Sequence, residues 1–164
     1  MSILQTRVWW VLRIGAAACF IGHGAFGIIT KEGWLPFFAL VGIGPDLAYK
    51  MMPLVGIADI CAGLSVLVRP TPAVILYMAV WGLWTAMLRP LTGQPVAEMI
   101  ERAGNYGVPF VMLLMIEWPR TVRQWCAPAR RRLDDSFDTR RIALALMLVT
   151  ATLVSGHALL ALSG

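Results

Sequence analysis

Acidic residues are scarce in this chain, and charge of either sign is thin. Nine Asp and Glu stand against fourteen Lys and Arg in 164 residues, so 14% of the chain is charged while 59% is hydrophobic. A soluble domain is about half apolar and roughly a quarter charged, so the shortage argues against a solvated globule. Cysteine is also sparse. Cys19 and Cys61 sit in apolar runs, Cys126 lies in a basic stretch, and no CxxC occurs, which excludes a disulfide framework and favours unpaired small hydrophobes. No Gly-rich phosphate loop, GxSxG or HExxH is present, which removes the common enzyme signatures. With two histidines in all, a zinc or copper site lacks a third ligand.

What is present is apolar sequence in long runs, with a mean hydropathy of +0.72. This predicts an all-α, polytopic membrane helix bundle in one domain. Five stretches approach the roughly 20 residues that a span needs: 8–29, 51–68, 72–89, the short 105–118, and 141–162. Arg7 before the first run resembles a signal peptide, but Arg13 interrupts that run and no clear small-x-small site follows. An uncleaved first span is expected.

The net charge of +5 points first to topology rather than to nucleic acid. Seven arginines fall between Arg120 and Arg141, which marks 119–140 as a basic cytoplasmic loop. Alternation then puts the N-terminus inside and the C-terminus outside a bacterial inner membrane. Nine of the fourteen basic residues become cytoplasmic, while Lys31, Lys50, Arg89 and Arg102 face outward. Two connections look like more than loops. Residues 34–41 read as a short amphipathic piece at the outer interface. In 90–104, Pro95 suits a helix start, and Gly104, Gly107 and Pro109 predict a broken helix leading into the fourth span.

Charged and polar groups inside spans usually face a bundle interior and mark function. His23, Asp59 and His157 lie six, eight and five residues inside the outer ends of their spans, so all three are expected at one level. Arg89 and Asn105 sit just above. Arg13 and Glu117 are deeper and at similar depth, and an ion pair explains both. Glu98, Glu101, Arg102, Asn105 and Pro109 share one helical face if the helix persists. They form either a salt-bridge network holding a loop or the polar lid of a ligand site. Trp81 and Trp84 offer aromatic walls, although packing is their commoner role.

A quinone headgroup needs donors at its carbonyls and a flat apolar slot. His23, Arg89 and Asn105 supply donors, Trp84 and Tyr106 supply walls, and Asp59, Glu98, Glu101 and Arg102 complete the candidate site. Two alternatives stand beside this one. His23 and His157 as axial ligands would make a heme b electron carrier. Alternatively, the small residues of the first span (Gly15, Ala18, Gly22, Gly24, Gly27) and the apolar 34–43 segment would serve contacts in a homodimer or a larger membrane complex, with the chain a structural accessory subunit. No internal repeat supports a transporter.

RIGAAACFIGHGAFGIITK resembles the first helix of the DoxX-like family of bacterial integral membrane proteins. In that helix an arginine (here Arg13) precedes a His-Gly (His23) by ten residues, and a lysine (Lys31) often follows. GIADICAGLSVLV is similar to the family's second-helix pattern of glycine, acid, glycine, with Asp59 between Gly56 and Gly63 where the family usually has Glu. The resemblance covers about residues 7 to 118. It implies a four-helix core over 1–118, with the basic loop 119–140 and a fifth transmembrane helix in 141–164 outside it. It further implies a polar interior formed by His23, Asp59 and Arg13, and association with redox assemblies, including a subunit of a quinone-linked oxidoreductase that is not itself catalytic. The ERAGNYGVP stretch (101–109) is not a general feature of the family.

Overall fold

The computed structural model describes residues 3–132 and 137–163, so positions 133–136 of the expected basic loop lie outside the described residues. Every regular element among the described residues is helical. In order they are α1 (Ile3–Ile28), a 3-10 turn (Glu32–Trp34), α2 (Leu35–Leu40), α3 (Pro45–Val68), α4 (Pro72–Leu91), α5 (Val96–Ile100), α6 (Ala103–Leu114), α7 (Val122–Cys126) and α8 (Phe137–Ser163). Four helices are long and apolar enough to cross a membrane: α1, α3, α4, and α8 over Thr139–Leu162.

Local chemistry explains where the long helices begin. Pro45 follows the extended Gly44, and Pro72 follows Thr71, whose hydroxyl accepts a bond from the Val74 N–H at 3.3 Å. Proline in the first turn costs nothing, because its missing N–H would be unsatisfied there anyway, and threonine caps one of the orphan donors. The α3 helix thus starts six residues before the expected 51, which carries Lys50 into the helix.

The stretch expected as the fourth span, 105–118, is the 12-residue α6, about 18 Å long at the α-helical rise. The expected break also lies elsewhere. It falls at Glu101–Arg102, between α5 and α6, whereas Gly104, Gly107 and Pro109 are all inside α6. The glycines serve contact with α8 rather than a break. A Cβ on Gly107 would meet Val149 at 2.6 Å, and one on Gly104 would meet Leu153 at 3.1 Å. Because the helix is interrupted, Glu98, Glu101, Arg102, Asn105 and Pro109 do not continue on one helical face.

The closest pair in the bundle is α1 against α3. Gly24 and Gly56 face each other so tightly that a Cβ on either would come within 2.6 Å of the other's carbonyl oxygen. Small residues that let backbones meet are the usual cement of helices in lipid. Gly27 and Gly63 belong to the same seam, whereas Gly15 and Gly22 have open space beside them. Beyond the seam a core runs through Trp9, Phe20, Val66, Ile75, Met78 and Met112, linking α1, α3, α4 and α6. The outermost helix, α8, packs on α5 and α6, with Gly156 pressed against the backbone of Ile100 and Glu101.

Arg13 does not pair with Glu117. Its guanidinium donates to the carbonyl of Val66 at 3.0 Å and to that of Leu67, and it lies 4.1 Å from the Trp10 ring centre. Val66 and Leu67 belong to the last turn of α3, where carbonyls lack intrahelical partners and the helix dipole favours a cation. The buried arginine is therefore a C-terminal cap supplied by the neighbouring helix. Glu117 is exposed, and its backbone N–H donates to Arg130 at 2.8 Å. That bond belongs to a fold-back in which 129–132 return beneath the bundle, with Arg132 bonded to Met115 and Ala129 to Pro70.

A candidate ligand cavity capped by α2 and the α5–α6 break

A cavity of about 250 Å³ opens at the end of the bundle where α1 finishes and α3 begins. Its lining is mostly apolar and aromatic, with a few polar groups converging on it, the usual composition of a small-molecule site. Of the nine expected ligand residues, the cavity gathers His23, Asp59, Trp84, Arg89, Arg102 and Asn105. These come from four helices and the α5–α6 junction, so no local motif could have announced the grouping.

The remaining three stand nearby in other roles. Glu98 and Glu101 both hold Arg102. Its Nη1 donates to Glu98 Oε2 at 2.7 Å, to the Glu98 carbonyl at 2.5 Å and to Glu101 Oε1. The network clamps the chain where α5 stops and α6 starts, so the salt-bridge and lid readings of this segment describe one structure. Tyr106 is half-buried beside Gly82 and does not line the cavity.

The 34–41 segment, expected as an amphipathic piece at the outer interface, roofs the cavity: Trp34 at the end of the 3-10 turn and Phe37 and Phe38 of α2 all line it. Arg89 lies over Phe37 at 4.8 Å and donates to Gln94 Oε1 at 3.0 Å, which ties the end of α4 to the roof. A cation on an aromatic face contributes about 0.5–1 kcal/mol where water reaches it and more where it does not.

Deeper in, the polar groups are bound to one another selectively. The His23 Nδ1–H donates to the Cys19 carbonyl at 3.0 Å, one turn back on α1, and the Cys19 thiol donates to Asn105 Oδ1 at 3.2 Å. Cys19, read from sequence as a small hydrophobe, is thus a polar link from α1 to α6. Asp59 is 4% exposed, and its Oδ1 has no hydrogen-bond partner. Its polar neighbours are Trp81 and Tyr77, whose rings stack at 6.1 Å. The Trp81 indole Nε1 is likewise buried without a partner. Trp81 and Tyr77 are the hydrogen-bonding groups beside the Asp59 carboxyl, so the two poorly bonded atoms belong to one polar cluster on the cavity wall.

The two histidines are not brought together. His157 is largely exposed on α8, with its Nδ1–H donating to Leu153 at 3.0 Å and its Nε2 3.9 Å from Glu101, and it is absent from the cavity wall. All three cysteines are free thiols. Among the described residues no three His, Cys, Asp or Glu side chains gather as a metal site. Comparison with known proteins finds no matching family model, no matching curated protein and no matching solved structure.

Proposed function

We propose that this protein is a DoxX-like integral membrane protein that holds a small, flat amphiphile of the quinone class in the cavity roofed by α2, and that it serves a membrane redox assembly as a non-catalytic subunit. The observation that supports the reading is a cavity of about 250 Å³ with mostly apolar and aromatic walls, lined on one side by the buried carboxyl of Asp59. Trp81 and Trp84 contribute aromatic surface to the cavity. Arg89, Arg102 and Asn105 give it a polar mouth.

The proposed topology follows the arginine distribution. The N-terminus is cytoplasmic, 119–132 lies on the cytoplasmic face of a bacterial inner membrane, and the cavity opens outward. The five-span arrangement takes α6 as the fourth crossing, completed by the chain that follows it.

The test is to purify the full chain in mild detergent, extract it with organic solvent and search the extract for quinones by mass spectrometry. A quinone retained in near-stoichiometric amount by the wild type, and largely lost from a monodisperse His23→Ala variant, is the expected result. An empty extract, together with no binding of added short-chain quinone or quinol, overturns the reading. An absorption spectrum before and after dithionite, taken on the same sample, tests the bis-histidine heme alternative. A Soret band abolished by His157→Ala would replace the present proposal.

A further inference from the structure

The end of the bundle opposite the α2 cavity holds a second hollow of about 680 Å³, between Pro72 at the start of α4 and the chain that returns from α7. Arg120, Arg123, Arg130 and Arg132 line it, and Glu117 is the one acid among the described residues of its wall. The positive-inside rule explains why basic residues gather at this end. It does not explain how they are held, which basic residue is used, or what stands beside them.

The arginines are carried on bonded backbone rather than on a solvated tail. A capping box between Thr121 and Gln124 starts α7, and Gln124 Oε1 also accepts from the Arg120 N–H at 2.7 Å. The Arg130 carbonyl accepts from the Glu117 N–H at 2.8 Å, and the Arg132 N–H donates to the Met115 carbonyl at 2.9 Å. Residue type is the second point. Lysine would satisfy a topological bias equally well, yet both lysines of the chain, Lys31 and Lys50, belong to the opposite end. A guanidinium presents a planar fork that matches two phosphate oxygens at once, which an ammonium cannot do. Among the described residues, no carboxylate lies within ion-pair distance of Arg120, Arg123 or Arg130. The third point is the apolar rim. Trp118 is 63% exposed and meets Trp125 edge-on at 5.4 Å, and Val122 on α7 is 81% exposed. Tryptophan beside cationic groups is the usual composition of the headgroup level of a membrane.

We propose that this hollow seats the phosphate-bearing headgroup of an anionic phospholipid, with the arginines forking its oxygens and Trp118 and Val122 against the apolar part of the lipid. Basic pockets at the ends of membrane helices recognise such headgroups. A soluble phosphate would need the arginines alone and gain nothing from the exposed tryptophan. The site stands apart from the α2 cavity and does not depend on what that cavity holds.

The experiment is native mass spectrometry of the delipidated full chain in mild detergent, with phosphatidylglycerol and phosphatidylcholine offered in equal amounts. Phosphatidylglycerol is expected to bind roughly tenfold more tightly or better, since each arginine near an anionic headgroup adds to the attraction. In a monodisperse Arg123→Gln, Arg130→Gln double variant the preference should nearly vanish. Arg123→Lys with Arg130→Lys keeps the charge and should restore only part of it. Arg7→Gln with Arg69→Gln removes the same charge outside the hollow and should leave the preference intact. Equal loss in that control, or full recovery by the lysines, would reduce the effect to bulk charge and overturn the proposal. Displacement of the lipid by millimolar inorganic phosphate would reassign the hollow to a soluble anion. No preference in the wild type overturns the proposal outright, and would leave Asp134 and Asp135, next in the sequence, as the partners of these arginines.

Discussion

The two ends of the bundle each carry a cavity, and they handle charge in opposite ways. The cavity under α2 is about 250 Å³ and encloses one buried carboxyl among apolar walls. At the other end lies a wider hollow of about 680 Å³, lined by Arg120, Arg123, Arg130 and Arg132 together with Glu117 and Trp118. Five charged groups share the second site, yet Arg120, Arg123, Arg130, Arg132 and Glu117 are mostly exposed, where each keeps its hydration. One carboxyl commands the first because it has lost its water. The number of charges at a site is a poor guide to its energetics. Desolvation is the better one, since exposed pairs contribute about 0–1 kcal/mol and a buried unpaired polar group costs several times as much.

The contrast can be broken most severely at the wall that holds Asp59 in place. Gly56→Val would drive a side chain into the Gly24 carbonyl, from which even a Cβ is 2.5 Å away. A loss of about 3 kcal/mol or more is expected from such overpacking, seen as aggregation or a sharply lower unfolding midpoint in detergent. Gly22→Val, in open space on α1, should pass nearly unnoticed. Next in size is Arg13→Ala. It removes the cap from two α3 carbonyls and should destabilise by about 2 kcal/mol. Glu117→Gln should add its own small effect independently, because the two side chains are not partners. A double-mutant cycle with a coupling above about 0.5 kcal/mol would contradict that. Smallest is Arg123→Gln in the basic hollow. Its stability change should stay within about 0.5 kcal/mol, and ligand affinity at the opposite end should not move.

Part of this arrangement was legible in the sequence because a membrane span makes depth countable. His23 and Asp59 are polar interruptions in apolar runs, and residue counting put them at one level. Their meeting at one cavity needs only that both face inward. Arg13 showed the limit of that method. Depth matched it to Glu117, but backbone carbonyls, its actual partners, exist at every residue and leave no trace in composition. The break in 90–104 was visible as glycine and proline. Its position was not, because a glycine that ends a helix and a glycine that admits Val149 are the same letter. For α2, Trp and Phe at the edge of a span read equally well as an interfacial anchor or as a cavity roof. Their place in the cavity lining, with Arg89 over Phe37, appears only in the packing of α2 against α4. Cys19 reads as a small hydrophobe because a thiol in an apolar run has no sequence signature separating packing from hydrogen bonding.

The account rests on the cavity being a place that something occupies, and filling it is the most direct test. Val55 lies on its wall and is half-buried, so Val55→Phe should extend a ring into the empty space without touching the α1–α3 seam. Binding of decyl-hydroquinone would be measured for both proteins, alongside their unfolding midpoints. The account predicts that Val55→Phe unfolds at or above the wild-type midpoint and loses at least tenfold in affinity. A variant that stays folded and binds as well as the wild type would show that the ligand sits elsewhere, and that the cavity around Asp59 is only a gap in the packing.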